Sequence, residues 1–319
     1  MIVYEKRASA ILFNFLSANR TSKTYLLPAN VCPLVPLVFL KAGVNYEFVD
    51  INLKTLCMDE NTALKKLKSN RNLYTGVFFV RTYGIEGTFE TFFNKIKQLN
   101  KNITIVDDKC LTMPDFTRHY YTSADVVLNS TGYAKCIDIN FGGYGFISEK
   151  YKYCTAKRFA YKPKDMDDLT EKYKKALESG KKFRYADTSW LDNGIPPISF
   201  SKYKILVNRE IPGIVKLKKK INDIYNKNLP KYIQLDSAFQ NWRYNIIVPH
   251  KEKLLSKIFA SKLFASTHYA SLNGIFSKGR SKNAEGLHSL VVNLFNDRYY
   301  DEAKARQTAR IINEHLKTI

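Results

Sequence analysis

Short apolar runs alternate with amphipathic segments over roughly the first 150 residues of the chain. Apolar runs of strand length predict β-strands, and apolar residues at helical spacing predict α-helices. Because the predicted strands are almost wholly apolar, we expect a mostly parallel sheet with helices on both faces. The strands are predicted at 24–28, 46–50, 76–80, 103–106 and 126–128, and the helices at 4–18, 34–41, 61–68 and 89–99.

The pattern loosens in the second half of the chain. A charged helix, a loop-rich stretch and a long basic helix come first, and the basic helix contains Pro212-Gly213, which predicts an interruption. Short strands and helices then mix, which favours a smaller α+β domain. The predicted helices lie at 165–179, 203–228, 251–260 and 301–316, the loop-rich stretch at 183–199, and the strands at 245–249, 265–266 and 290–294.

We therefore expect a large domain over residues 1–200 and a linking helix with a small C-terminal domain over 201–319. The 319 residues, 45% of them hydrophobic, suffice for two cores. No apolar run is long enough to cross a bilayer, and the first residues lack the cleavage site of a secretory signal. The five cysteines form no C-x-x-C pair, which favours reduced thiols in the cytoplasm and argues against a metal site.

The formal net charge of +22 predicts attraction to polyanions or to an anionic small substrate. The basic residues are spread over many helical segments, as on solvated helix faces. Since no zinc finger, RNP-type strand or basic-region heptad accompanies them, we do not expect specific nucleic-acid binding.

The candidate chemistry centres on the loop after the predicted strand 126–128. Ser130 ends that run and Lys135 lies five positions later, with Gly142-Gly143 beyond it. A serine there can donate to a phosphate, while the lysine can reach an aldehyde of the same molecule. The ordinary alternatives are a solvated surface lysine and a glycine turn.

Other segments supply what pyridoxal phosphate requires. Ala8 and Ser9 begin a predicted helix, whose free amides suit a phosphate. Asp108 follows a strand and can pair with the pyridine nitrogen, and Lys135 can bind the aldehyde. In a parallel sheet such groups meet beyond the carboxyl ends of the strands. Asp108 alone can also be explained as a cap at the end of its strand.

Several segments occur in an order and spacing that resemble the DegT-type sugar aminotransferases, which are fold type I pyridoxal-phosphate enzymes. They extend through nearly the whole chain. The segments are Leu26 to Pro33, Ala42-Gly43 with Phe48-Val49-Asp50, Val80 to Gly84, Val106-Asp107-Asp108, Ser130 to Lys135 with Gly142-Gly143, Trp242 to Asn245, Thr267-His268-Tyr269 and Val292-Asn293-Leu294.

The resemblance implies a role for each site residue. Lys135 would bind the cofactor covalently and transfer protons, and Asp108 would pair with the pyridine nitrogen. Ser130 and the backbone at Ala8 and Ser9 would hold the phosphate. The remaining assignments are Cys32 beside the cofactor ring, and Tyr83, His268 and Tyr269 on the substrate side.

The resemblance also implies a reaction and an assembly. An amino acid, usually glutamate, would donate its amino group to a keto-sugar nucleotide or a related keto compound, in surface-polysaccharide or secondary metabolism. A homodimer would complete each site near its interface. Leu111, Cys32, Phe141 and Lys6-Arg7 depart from the family pattern.

Two alternatives stay open. One is a dehydratase or lyase with the same cofactor and fold, although the family's dehydratase branch is expected to have histidine in place of Lys135. The other is a non-catalytic relative that binds a polyanion or a protein partner. Some candidate residues can also belong to the hydrophobic core, namely Cys32, Cys110, Cys136, His268 and Tyr269.

Overall fold

The computed structural model describes residues 1–117 and 122–318, in which seven strands form one sheet. They are β1 (Ile2–Glu5), β2 (Thr24–Pro28), β3 (Asn45–Val49), β4 (Tyr74–Val80), β5 (Thr104–Asp108), β6 (Val126–Ser130) and β7 (Gly143–Ile147). Their order in the sheet is β1-β7-β6-β5-β4-β2-β3. β7 runs antiparallel to both of its neighbours, and the other pairings are parallel. The predicted mostly parallel sheet is confirmed.

Helices alternate with these strands and pack in pairs. They are α1 (Ala8–Ala18), α2 (Leu34–Ala42), α3 (Glu60–Ser69) and α4 (Glu90–Leu99). α1 packs against α2, and α3 packs against α4. Every residue of β5, β6 and β7 is buried, as expected for strands covered on both faces. The short 3₁₀ turn Thr82–Gly84 follows β4 directly.

The second half of the chain contains a smaller antiparallel sheet and further helices. The strands are β8 (Tyr244–Ile247), β9 (Ala265–Ser266) and β10 (Val291–Leu294), in the order β8-β10-β9. The helices are α5 (Pro163–Ser179), α6 (Phe200–Asn228), α7 (Lys251–Ala260), α8 (Lys282–Leu290) and α9 (Glu302–Leu316). None of the described helices is both long enough and apolar enough to cross a membrane.

Separate hydrophobic clusters lie under the two sheets. The main cluster belongs chiefly to the first sheet and its helices, and a second cluster joins the C-terminal half of α6 to the small sheet, α7 and α9. Tyr203 and Val207, at the start of α6, pack instead against Tyr144 and Phe146 of β7. α6 therefore contacts both regions. The predicted domain boundary at residue 200 stays a prediction. Residues 118–121 of the predicted large domain and Ile319 of the predicted small domain lie outside the described residues.

Three local predictions were wrong. Residues 4 and 5 belong to β1 rather than to the first helix, because they pair with β7 about 140 positions later, which local periodicity cannot show. α8 was missed, since only Ala284 and Leu287 on it are buried. α6 continues through Pro212, which is exposed, so the Asn208 carbonyl that loses its partner can be hydrated.

Candidate functional site

The carboxyl ends of β5 and β6 bring the central candidate residues together. Asp108 ends β5, Ser130 ends the neighbouring strand β6, and Lys135 lies in the loop that follows. The Lys135 ammonium is close enough to lower the pKa of Asp108 and of the Cys32 thiol, although burial outweighs it in both cases and raises their pKa values. Lys135, Asp108 and Cys32 therefore lie near one another in the candidate site.

Asp108 is a buried carboxyl group without a salt bridge among the described residues. Its Oδ1 accepts a hydrogen bond of 2.9 Å from the Cys110 backbone N–H. Burial raises the pKa of Asp108, whereas the Cys110 hydrogen bonds and Lys135 oppose this shift. A further cation against this carboxyl, such as a protonated pyridine nitrogen, would stabilise its charged form.

Lys135 is half-buried, and in the described part of the chain its ammonium makes no hydrogen bond and no salt bridge. The residue before it, Ala134, is fixed from both sides. Its N–H donates to Asp138 Oδ2 over 2.9 Å, and its carbonyl accepts a 2.7 Å hydrogen bond from Trp242 Nε1. The lysine amine is thus available to a ligand while its backbone is held.

The beginning of α1 lies beside Ser130 because of the register of β7. Gly143 pairs with Ser130 on one side and with Glu5 on the other. A Cβ at Gly143 would lie 2.2 Å from the Ala8 nitrogen, so only glycine fits there. This close approach brings the start of α1, at Ala8 and Ser9, near the paired backbone of Gly143 and Ser130. The amides at the start of a helix favour an anion.

Arg7 adds a cation near the start of α1 and Ser130, and no role was predicted for it from the sequence. It is the N-cap of α1, and its side chain does not cap the helix. A Cβ built on Gly132 would be 3.4 Å from Arg7 Nη1 and 3.6 Å from Ser130 Oγ, so guanidinium and hydroxyl lie on one side of this loop. Arg7 Nη1 also donates to the Asn140 carbonyl over 2.6 Å, and Nε to Asp192 Oδ2 over 3.3 Å.

Four rings form an aromatic wall beside the pocket: Tyr83, Trp242, His268 and Tyr269. Trp242 lies parallel to Tyr83, with ring centroids 6.4 Å apart, and to Tyr269, with centroids 6.1 Å apart. His268 stacks on Tyr269 at 5.0 Å, and Tyr83 Oη donates to the His268 carbonyl over 2.6 Å. The three predicted substrate-side residues thus lie together.

The charges of the site also act on this wall. Burial raises the pKa of Tyr269, with further contributions from Cys32 and Asp108. Desolvation by the protein atoms packed around the imidazole, followed by the nearby cations Arg243 and Lys135, lowers the pKa of His268 to about 4, although the residue still has an exposed surface. Its ring is therefore neutral at pH 7. The wall therefore offers apolar faces and uncharged polar atoms next to the Lys135 ammonium.

Two of the residues that depart from the pattern of the resemblance, Leu111 and Phe141, pack into the surrounding core. Leu111 is buried, and its carbonyl accepts a 3.0 Å hydrogen bond from the Cys136 thiol. Phe141 packs against Tyr203, with ring centroids 6.2 Å apart. Neither contact involves Asp108 or Lys135.

No protein-family model and no curated protein sequence matches the chain, but solved structures do. A DegT DnrJ EryC1 StrS aminotransferase from Brucella abortus superimposes with a TM-score of 0.68 at 14% identity, over 98% of this chain and 85% of that chain. The sugar aminotransferase CalS13 from Micromonospora echinospora gives a TM-score of 0.70 at 14% identity, over 98% and 87%. The chain has the fold of type I pyridoxal-phosphate enzymes.

A third similar structure is the GDP-4-keto-6-deoxy-D-mannose-3-dehydratase of E. coli with bound hydrated PLP. It gives a TM-score of 0.68 at 15% identity, over 97% of this chain and 87% of that chain. The same fold thus occurs in aminotransferases and in a dehydratase. At these identities the similarity shows the fold, and the activity of this chain has to be argued from its own residues.

Proposed function

We propose that the chain is a pyridoxal-phosphate-dependent aminotransferase. The observation that carries the proposal is the Lys135 ammonium, which has no hydrogen bond or salt bridge in the described part of the chain and lies close to the buried carboxyl of Asp108. When bound, the cofactor supplies an aldehyde that reacts with amines and a ring that stabilises negative charge. The two residues match those two ends of the molecule.

Each remaining site residue has a binding role in this proposal. Asp108 holds the protonated pyridine nitrogen by charge. Ser130, the amides of Ala8 and Ser9, and the Arg7 guanidinium bind the phosphate. Cys32 lies beside the ring, where its small side chain leaves room for it.

Lys135 has the further role of moving protons. Its amine would take a proton from the substrate carbon and return one nearby. The neutral His268 stacks on Tyr269 in the aromatic wall, near the Lys135 ammonium. We assign them and Tyr83 to substrate contact.

We further propose glutamate as amino donor and a keto-sugar nucleotide or a related keto compound as acceptor. The similar solved structures include sugar aminotransferases and the protein DesI, which was solved in the presence of its TDP-sugar product. The net charge of +22 suits an acceptor that carries a diphosphate. A cytoplasmic homodimer that works in surface-polysaccharide or secondary metabolism completes the proposal.

A dehydratase is the second candidate, because one similar structure is a dehydratase. Lys135 favours amino transfer, since the resemblance leads us to expect a histidine at this position in the dehydratase branch. The two reactions differ in their products. Transfer consumes one amino acid for each aminated sugar, whereas dehydration eliminates water and leaves no new nitrogen in the sugar.

The proposal is tested by the absorption of the purified protein after incubation with pyridoxal phosphate and desalting. We expect a visible band that disappears in Lys135→Ala but persists in Lys152→Ala, which removes an exposed lysine elsewhere. Added glutamate should bleach the band and release 2-oxoglutarate. No retained band in the wild type would refute the enzyme proposal, and a band that no amino acid bleaches would refute transamination.

A further inference from the structure

The backbone just before Lys135 is held in an unfavourable conformation. Ala134 has φ 58°, in the left-handed region that glycine adopts freely and alanine adopts only at a cost. An alanine with free neighbours would return to negative φ. Such a change would turn the following side chain, Lys135, away from its present direction.

Two hydrogen bonds from different parts of the chain fix this residue. The Ala134 N–H donates to Asp138 Oδ2 over 2.9 Å, and the other oxygen of Asp138 accepts from the Asn140 N–H over 3.0 Å. The Ala134 carbonyl accepts a 2.7 Å hydrogen bond from Trp242 Nε1, 108 positions away. Both backbone polar groups of Ala134 therefore have a partner.

Trp242 is itself held rigidly, which makes it a suitable anchor. Its side chain is buried and stacks parallel to Tyr83 and Tyr269. Its backbone N–H donates to the Tyr83 carbonyl over 3.3 Å, and its carbonyl accepts from the buried Lys218 ammonium over 2.8 Å. The indole cannot move without disturbing these contacts.

We infer that Trp242 and Asp138 are positioning residues that keep Ala134 in the left-handed conformation and thereby direct the Lys135 amine toward Asp108. This inference rests on the proposed function, since it concerns the lysine that reacts with the cofactor aldehyde. The indole N–H of Trp242, in the C-terminal half of the chain, would thus determine the orientation of the Lys135 amine. Trp242 of the aromatic wall would then position the reactive lysine, whereas the other rings would contact the substrate.

The test separates covalent attachment from cofactor binding. In Trp242→Phe the ring can still stack, but the hydrogen bond to Ala134 is lost. The matched control is Trp190→Phe, which also removes an indole hydrogen bond, from Trp190 to Tyr185 Oη over 3.1 Å, at a buried site that is not part of the wall. One measurement is the rate at which pyridoxal phosphate attaches to Lys135, followed by borohydride reduction and mass analysis of the Lys135 peptide. The other is the affinity for pyridoxamine phosphate, which has no aldehyde.

We expect attachment to slow about tenfold in Trp242→Phe, equivalent to about 1.4 kcal/mol, with pyridoxamine phosphate affinity changed by less than about threefold. Trp190→Phe should change neither quantity. Asp138→Ala should slow attachment in the same way. Ala134→Gly should restore much of the rate in the Trp242→Phe background, because glycine adopts the left-handed conformation without a clamp.

Attachment at the wild-type rate in both Trp242→Phe and Asp138→Ala would overturn the inference. So would a loss of pyridoxamine phosphate affinity as large as the loss of attachment rate, since the pocket as a whole would then be damaged. A wild-type protein that binds no pyridoxamine phosphate and attaches no pyridoxal phosphate would instead contradict the proposed function. The two failures are therefore distinguishable.

Discussion

Asp107 and Asp108 are adjacent in β5, yet they have opposite environments. Asp107 accepts hydrogen bonds of 2.9 and 2.8 Å from Arg81 Nε and Nη2, in a fully buried bidentate pair. Asp108 accepts from the Cys110 backbone and lies near the Lys135 ammonium. Successive side chains of a strand point to opposite faces, so one carboxylate supports the sheet and the other enters the candidate site.

The first prediction concerns the buried pair. Arg81→Met leaves the Asp107 charge without its bidentate partner, and we expect a loss of about 3–5 kcal/mol in the free energy of unfolding. Urea unfolding measures this loss. In the single variant the buried Asp107 carboxylate keeps only the 3.9 Å pair with Lys109 Nζ among the described residues. The double variant Arg81→Met with Asp107→Asn should be more stable, because the buried side chain at position 107 is then uncharged. Lys175→Ala, which breaks an exposed pair with Glu171, is the control and should leave the stability unchanged. Equal stability of Arg81→Met and wild type would contradict this interpretation.

The second prediction concerns the dependence of stability on pH at Asp108. Burial raises the pKa of Asp108 in the folded protein. The folding stability that the protonated carboxyl contributes is therefore fully present below the ordinary aspartate pKa of about 4. This contribution is lost as the pH rises through the raised pKa, because the buried group then has to ionise. Without cofactor, Asp108→Asn should therefore be more stable than the wild type at pH 7. The difference should vanish at pH values below about 4.

Urea unfolding of both cofactor-free proteins over a pH series measures this effect. Asparagine keeps an oxygen for the Cys110 N–H, so the substitution tests the charge rather than the hydrogen bond. Pyridoxal phosphate should reverse the order and stabilise only the wild type strongly, since it supplies the missing cation. A cofactor-free wild type that is the more stable protein at pH 7 would show that Asp108 already has a sufficient partner.

The sequence was informative where a feature depends on neighbours in the chain. Ser130 and Lys135 could be located because an apolar run ends just before them. The helix predicted at 34–41 agrees with α2, which ends at Ala42 before Gly43 with φ 67°. The alternation of apolar and amphipathic segments was sufficient for the parallel sheet. These features depend on propensity and periodicity, which are local.

Features that depend on pairing between distant segments could not be predicted. The position of Arg7 near Ser130 follows from the register Ser130 to Gly143 to Glu5, which joins three strands. Residues 4 and 5 were assigned to a helix for the same reason. The contact of Trp242 with Ala134 spans 108 positions, and no local pattern indicates it.

The third prediction tests the close approach of β7 to α1. In Gly143→Ala the new methyl would lie 2.2 Å from the Ala8 nitrogen and 2.5 Å from its Cα, and these backbone atoms cannot move aside easily. We expect a loss of about 1–3 kcal/mol in the free energy of unfolding, together with a lower affinity for pyridoxal phosphate.

The control is Gly213→Ala in α6, where no atom lies within 4 Å of the new methyl. It should stabilise the protein by about 0.5–1 kcal/mol, because glycine is unfavourable within a helix. A Gly143→Ala variant with the stability and cofactor affinity of the wild type would contradict this close contact between β7 and α1.

The fourth prediction tests Arg7 as a ligand of the cofactor phosphate. Pyridoxamine phosphate and pyridoxamine differ only in the phosphate, so the ratio of their affinities measures recognition of that group. In Arg7→Met we expect this ratio to fall at least about tenfold, because a hydrogen bond to a charged group contributes about 1.5–3 kcal/mol.

Lys6→Met is the matched control for Arg7. Lys6 pairs with the same carboxylate, with Nζ 3.0 Å from Asp192 Oδ2, but its side chain lies against the position of Gly194 rather than Gly132. Removing it changes the local charge by the same amount without removing a phosphate ligand. Isothermal titration of both ligands against the two variants gives the comparison. If the affinity ratio of pyridoxamine phosphate to pyridoxamine falls equally in Arg7→Met and Lys6→Met, the prediction is wrong. The phosphate would then be attracted by the overall positive charge of the region, because only a direct contact with Arg7 would distinguish the two neighbouring cations.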